Sequence, residues 1–182
     1  MEHLGTKRQE TDRLVLRAFT IEDAGYMFRN WASDDEVTKY LTWPTHRSEE
    51  DSKAILREWV ASYADKRTYQ WAIAPKQTSE PIGSISVVGI DDERSSVEIG
   101  YCIGRARWGK GIATEALQKV IDFFFTEVGA EQVTAKHDVE NPASGRVMQK
   151  CGMHCVGVKK ATNNRGIVDV CEYVRRNLKE NK

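Results

Sequence analysis

The segment 97–117, VEIGYCIGRARWGKGIATEAL, constrains the fold more than any other stretch of the chain. It begins as a strict alternation. Val97, Ile99, Tyr101 and Ile103 point one way and Glu98, Gly100 and Cys102 the other, which is the period of a β-strand. From Ile112 the period changes, and Ile112, Ala113, Ala116, Leu117, Val120, Ile121 and Phe124 fall on one helical stripe. Between the two lie Gly109 and Gly111, interleaved with Arg105, Arg107 and Lys110. Glycine lets the backbone turn sharply and approach a ligand with no Cβ in the way. The first turn of the helix then offers unpaired N–H groups with the positive end of the helix dipole behind them. Strand, turn and helix together form an anion site suited to phosphate.

Two phosphate-binding patterns compete for the turn. Residues 104–111 read GRARWGKG, which differs from the nucleotide loop G-x-x-x-x-G-K-[ST] at its last position. Gly111 stands where the Mg²⁺-binding hydroxyl belongs, so that pattern fails at its metal ligand. The second pattern is a pyrophosphate loop, [QR]-x-x-G-x-[GA], laid over WGKGIA at 108–113. Gly111 and Ala113 match it, and Trp108 replaces the usual Gln or Arg.

The rest of the chain alternates between the same two periods. Segment 13–19 (RLVLRAF) reads as a strand, and Thr20 with Asp23 opens a helix as a capping box. A second short helix is expected at 34–41, then a loop carrying Trp43, Pro44 and His46. Ser48 and Asp51 start a third helix, with Ile55, Leu56, Trp59, Val60 and Tyr63 on its buried stripe. Strands follow at 68–74, 82–90 and 132–138. Asn141-Pro142 caps a short helix that Gly152 ends. Segments 153–161 and 167–175 close the chain as a hairpin around NNRG. This order predicts a mixed α/β sheet with helices on both faces.

At 182 residues the chain suits one domain, expected at 12–178, with a loose polar segment at 1–11. Basic and acidic residues balance at 27 each, which gives no global attraction to nucleic acid or membrane. No apolar run is long enough to cross a bilayer and the N-terminal segment lacks a signal peptide's apolar core, so a cytoplasmic location is expected. Cys151, His154 and Cys155 make a poor metal set at CGMHC spacing, and no metal is expected. All four cysteines are expected to be free thiols, mostly buried.

With its strand before it and its amphipathic helix after it, the loop at 108–113 resembles that of the GCN5-related N-acetyltransferases. The element order resembles that family along almost the whole chain. Trp108 followed by GKG and ATEAL is similar to the branch that acetylates ribosomal-protein N-termini, the RimJ/RimL-like enzymes. The resemblance implies a central sheet of about seven strands. Within it, the strand before the loop and the strand after the central helix splay apart around the pantetheine arm of acetyl-CoA. It implies cofactor contacts from Tyr101, Cys102, Ile103, Trp108, Gly109, Lys110, Gly111, Ile112, Ala113 and Thr114, with the loop amides on the pyrophosphate. The segment NPASGRVMQKCGM resembles the family's second cofactor segment. On that likeness Asn141 binds the pantetheine and Ser144 faces the sulfur as proton donor to the leaving thiolate.

Acetyl transfer needs a base, because amines at neutral pH are largely protonated. Glu98 resembles the glutamate base on the same strand of histone-type members. Its rival reading is a structural ion pair. Asn141 is also a plain helix cap, and Ser144 a first-turn serine that bonds backbone. Tyr40 and Trp43 fall where family members line the acceptor pocket, and His46 is an alternative base that is expected to be exposed. Trp31, Trp59 and Trp71 fit core stripes. The expected activity is direct attack of a protein N-terminal α-amine on acetyl-CoA, with Cys102 as packing rather than an acyl carrier. The alternatives are a small-amine acetyltransferase (amino acid, polyamine or aminoglycoside), an acetyl-CoA sensor without turnover, and a nucleotide-binding module. A homodimer is left open.

Overall fold

The computed structural model describes residues 1–178. Among these residues the strands are β1 (Gln9–Glu10), β2 (Leu14–Ala18), β3 (Gln70–Pro75), β4 (Gly83–Asp91), β5 (Ser96–Ile103), β6 (Gln132–Asp138), β7 (His154–Asn163) and β8 (Gly166–Arg176). The helices are α1 (Ala24–Met27), α2 (Asp35–Thr38), α3 (Glu49–Ser62), α4 (Ile112–Phe123) and α5 (Pro142–Lys150). The strands form one sheet in the order β1-β2-β3-β4-β5-β6-β8-β7. The mixed sheet expected from the sequence is there. It has eight strands, the additional one being the two-residue β1.

The predicted caps act where the sequence places them. Ser48 accepts from the Asp51 amide and Asp51 returns the bond to open α3. Thr20 and Asp23 form the same box, and Asp23 is also clamped by Arg17 at 2.8 Å. The chain beyond is tighter and looser by turns than one helix: a 3₁₀ turn at Ile21–Asp23, α1, then a π turn at Phe28–Ala32.

The alternation of β5 decides which helices lie on which face. Val97, Ile99 and Ile103 belong to a large core with Ile112, Ala116, Leu117 and Val120 of α4 and Met148 of α5. Cys102 belongs to a second cluster with Met27, Trp31 and Leu56, from the α1–α3 side. Helices therefore cover both faces. Trp31 and Trp71 are fully buried, and Trp71 stacks edge-on against Phe123 at 5.8 Å.

Every pairing in the sheet is antiparallel except β5 with β6. These two run parallel because α4 is a crossover between them, as a parallel connection requires. Their register joins Ser96 to Gln132, Val97 to Val133 and Glu98 to Thr134, and then stops. Beyond that point β5 stays paired with β4 as far as Ile103, and β6 stays paired with β8 as far as Asp138. The strands have separated, and the splay expected from the resemblance opens here.

The N-terminal segment shows contacts that its composition does not announce, and the expectation for the cysteines needs correction. Residues 1–11, expected to be loose, make several contacts with the body of the domain. Trp71 Nε1 donates to the Lys7 carbonyl at 2.7 Å, the Gly5 amide to Lys66, and the Tyr69 hydroxyl meets His3 and Leu4. Polar composition does not reveal these contacts, because their partners are aromatic side chains and a backbone carbonyl distant in sequence. The cysteines are not all free. Cys102 and Cys151 are buried thiols, whereas Cys155 and Cys171 form a disulfide between β7 and β8. The pairing depends on a hairpin register shifted by a bulge between Cys155 and Gly157, which spacing alone does not reveal.

Candidate functional site

The opening between β5 and β6 has three sets of residues around it: the turn into α4, the first turn of α5, and the sheet face below the α1–α3 layer. At the turn, Arg105–Arg107 form a 3₁₀ turn, Trp108 is extended, and Gly109 and Gly111 both adopt positive φ, +72° and +75°. Only glycine enters that region without strain. The first bond of α4 runs from the Glu115 amide to the Gly111 carbonyl at 3.0 Å, so the amides of Ile112, Ala113 and Thr114 precede the ladder. Arg13 braces the turn from outside, donating to the Lys110 carbonyl at 3.0 Å and pairing with Glu115 at 2.6 Å. Trp108 is half-exposed, with its indole N–H on the Ile103 carbonyl at 2.7 Å. Lys110 caps the Ala106 carbonyl and Arg105 pairs with Asp34 at 2.9 Å. Gly104 has the Asn30 carbonyl 2.1 Å from where a Cβ would stand, so a larger residue there would push the turn off the helical layer.

Across the opening, Asn141 caps α5 by accepting from the Ser144 amide, with Pro142 in the first position. This is the cap reading of Asn141, realised in full. Gly145 explains how closely α5 lies on β6: a Cβ there would sit 2.6 Å from His137 Nε2. His137 is held in turn by the Asp138 carbonyl at 2.8 Å. Ser144 faces inward, and its Oγ lies 2.9 Å from the Tyr101 hydroxyl, which also reaches the Ser144 carbonyl at 3.0 Å. Tyr101 thus spans the opening from β5 to α5. Burial pushes its phenol well above the ordinary value, against the pull of the Ser144 hydrogen bond.

On the other face, Glu98 is not alone. Its Oε2 pairs with Lys136 Nζ at 2.5 Å, both side chains half-buried, and the neighbouring β7–β8 hairpin carries the pair Glu172–Lys159 at 2.8 Å. The ion-pair reading of Glu98 is therefore present in the structure. Lys136 was missed from the sequence, yet it follows Thr134 in the strand alternation and so shares the face of Glu98. The space over Gly100 is partly filled by Val88, whose Cγ1 would lie 3.2 Å from a Cβ there. Val88 is exposed and sits where the β4–β5 register shifts. Cys102 is buried against the Ser84 hydroxyl at 3.4 Å, and burial raises its thiol pKa. A thiol held protonated is a poor nucleophile.

The loop after α2 closes one side of this face. Tyr40 donates to the Glu140 carbonyl at 3.1 Å, at the entrance to α5. Asn164, at the tip of the β7–β8 hairpin, donates through its side chain to the carbonyls of Thr38 at 2.9 Å and Trp43 at 2.6 Å. Its amide reaches the Leu41 carbonyl at 2.9 Å. Arg165 grips Asp138 at 3.0 Å and Glu140 at 2.5 Å. Burial disfavours the Asp138 carboxylate, but the Glu140 amide, Asn163 and Arg165 outweigh it and hold its pKa below the usual range. His46 is buried rather than exposed, with Nδ1 on Ser52 Oγ at 2.8 Å, and Trp43 packs against it at 5.3 Å. Burial lowers its pKa against the Asp51 carboxylate, which favours the neutral ring. Among the described residues no cluster of His, Cys, Asp and Glu could hold a metal, and no helix is long and apolar enough to cross a membrane.

Comparisons with known proteins point the same way as this geometry. The acetyltransferase (GNAT) domain profile matches residues 13–154. The chain is 35% identical over 149 residues to the uncharacterized N-acetyltransferase YoaA of Bacillus subtilis, covering 82% of this chain and 84% of YoaA. It is 30% identical over 138 residues to the ribosomal-protein-serine acetyltransferase of Escherichia coli, covering 74% of this chain and 76% of that one. Among solved structures, the ribosomal L7/L12 alpha-N-protein acetyltransferase RimL in complex with coenzyme A matches with a TM-score of 0.82. The match covers 93% of this chain and 98% of RimL, and at 20% identity it is a likeness of fold.

Proposed function

The chain belongs to the GNAT acetyltransferase family, and from that premise we propose that this N-acetyltransferase acts on the α-amine of a protein N-terminus, a ribosomal protein being the first candidate. The fold of this family uses acetyl-CoA, and the residues present suit it. The observation that carries the reading is the opening beyond Glu98 and Thr134, with the α4 amides at one end and Ser144 at the other. An extended pantetheine arm can hydrogen-bond to strand groups that have no ladder partner, and a pyrophosphate to amides that precede the helical ladder.

In this reading the amides from Gly109 to Thr114 hold the pyrophosphate and Asn141 orients the pantetheine. Glu98 takes a proton from the acceptor amine, directly or through water. The amine attacks the thioester carbonyl in a ternary complex, without an acyl-enzyme. The buried Cys102 thiol supports that order of events. Ser144 then donates a hydrogen bond to the departing sulfur. Tyr40 and Trp43 flank the acceptor, and the paired charges of Glu98, Lys136, Glu172 and Lys159 give its bed a polar character suited to a peptide. A small-amine acceptor is the second reading, favoured by the Asn164 bridge that joins the hairpin tip to the acceptor loop.

The test is label transfer from radiolabelled acetyl-CoA into an extract containing ribosomes. Label in a discrete protein band, released with the N-terminal peptide, supports the reading. Label confined to the small-molecule fraction overturns it in favour of the second.

A further inference from the structure

Tyr101 and Ser144 face one another across the opening, and their contact has a feature that neither residue's assigned part explains. A phenol carries one proton, and Ser144 offers it two acceptors, the carbonyl at 3.0 Å and Oγ at 2.9 Å. If Tyr101 donates to the carbonyl, the serine's own hydrogen is spent on the tyrosine oxygen. If Tyr101 donates to Oγ, the serine's hydrogen is released to point elsewhere. Exchange between the two needs only rotation of hydroxyl hydrogens. The ring itself cannot follow, because it packs against the large core alongside Ile99 and Ile103. Its burial keeps it a neutral donor.

We infer that Tyr101 is a positioning residue for departure of the thiol: its hydroxyl donates to Ser144 Oγ and turns the serine hydrogen toward the sulfur. The inference rests on the reading of Ser144 as the group that faces the sulfur. As the carbon–sulfur bond breaks, its electron pair stays on the sulfur. Ser144 donates a hydrogen bond to that thiolate and Tyr101 donates one to Ser144, and neither residue gives up its proton. Two hydroxyls in series polarise one another and make a stronger donor than one. The proton shed by the acceptor amine leaves through Glu98 to water, and the thiolate takes one from water after release.

Coenzyme A itself is the probe, so the experiment needs no acceptor. The thiol of the bound molecule is titrated by its thiolate ultraviolet absorbance, with the complex of desulfo-coenzyme A as blank. In the native protein the thiol should ionise at lower pH than in free solution. Y101F should move that ionisation up by about half a unit to one unit, the net size of one hydrogen bond between neutral groups. S144A should move it at least as far, and the double variant no farther than S144A. Replacing Tyr101 by 3-fluorotyrosine, a stronger donor of nearly the same shape, should move it down, which guards against a Y101F protein that folds poorly. Equal titrations in native protein, Y101F and the fluorotyrosine variant, with S144A shifted, would overturn the role of Tyr101 and leave that of Ser144. A thiol unmoved by S144A in a complex that still forms would overturn the Ser144 reading itself.

Discussion

At the residue scale, Lys136 changes what Glu98 has to do. A carboxylate held 2.5 Å from an ammonium group must exchange that partner for the acceptor amine before it can take a proton from it. On the proposed reading E98Q keeps a hydrogen bond to Lys136 and loses the base, so kcat should fall by about 10²–10⁴. Its KM for acetyl-CoA should change little, and steady-state kinetics on the labelled acceptor would show the split. A fall in binding with kcat preserved would leave Glu98 a purely structural partner of Lys136. Cys102 gives the opposite expectation. C102A should retain most of the native rate, and loss of turnover together with a trapped acetyl-protein in the native enzyme would point to an acyl-enzyme instead. Alternation alone assigns Glu98, Tyr101 and Cys102 to their faces, because successive side chains of a strand point to opposite sides of the sheet. Lys136 could not be paired with Glu98 in that way. Their contact depends on which strands are neighbours, which the sequence of either strand does not state.

At the scale of elements, the local signals in the chain were strong and the long-range ones silent. Capping boxes, the Asn-Pro helix start and Gly152, at positive φ, mark boundaries that the structure keeps. The π turn at Phe28–Ala32 carries no such mark, and its Asn30 carbonyl lies against Gly104, a neighbour distant in sequence. The bridge from Asn164 to the loop after α2 was equally invisible. An asparagine in NNRG is already accounted for by turn chemistry, so nothing local asks for a distant partner. The bridge nonetheless holds the proposed acceptor wall in place. N164A removes the side-chain donors to Thr38 and Trp43 and should cost about 1–3 kcal/mol, read as a lower denaturation midpoint with unchanged slope. It should also raise KM for the acceptor more than KM for acetyl-CoA. Equal effects on both would mean that the bridge steadies the α5 entrance rather than the acceptor wall.

The whole molecule responds to acid through groups buried in different layers. His46 is buried with its pKa below the ordinary imidazole value, so between the folded and unfolded values the unfolded chain binds the extra proton. Its contribution to stability is therefore complete above about pH 6.5 and declines as the pH falls below that. Asp138 behaves in the ordinary carboxylate manner, its contribution present above its unfolded value and lost in stronger acid. A denaturation series from pH 7.5 to 5 should show stability falling below about pH 6.5, and H46Q should flatten that fall. A native profile that is flat over the interval would contradict the buried neutral ring.

The overall architecture was readable from the order of periods, and the divergence of β5 from β6 only through the family likeness, because both strands continue with good strand residues after their pairing ends. That divergence makes the sheet two leaves hinged along three rungs, Ser96–Gln132, Val97–Val133 and Glu98–Thr134. One leaf runs from β1 to β5 and carries Tyr101 and Glu98. The other holds β6, β8 and β7, and α5 with Ser144 lies behind it. On the proposed reading, a cofactor lodged between the leaves stands in for the missing ladder and couples them. Coenzyme A at about a hundred times its dissociation constant should add about 2.7 kcal/mol to the unfolding free energy. The accompanying loss of amide exchange should reach beyond the residues it touches to the hinge rungs themselves. On the proposed reading the cofactor of this enzyme is then also its mortar.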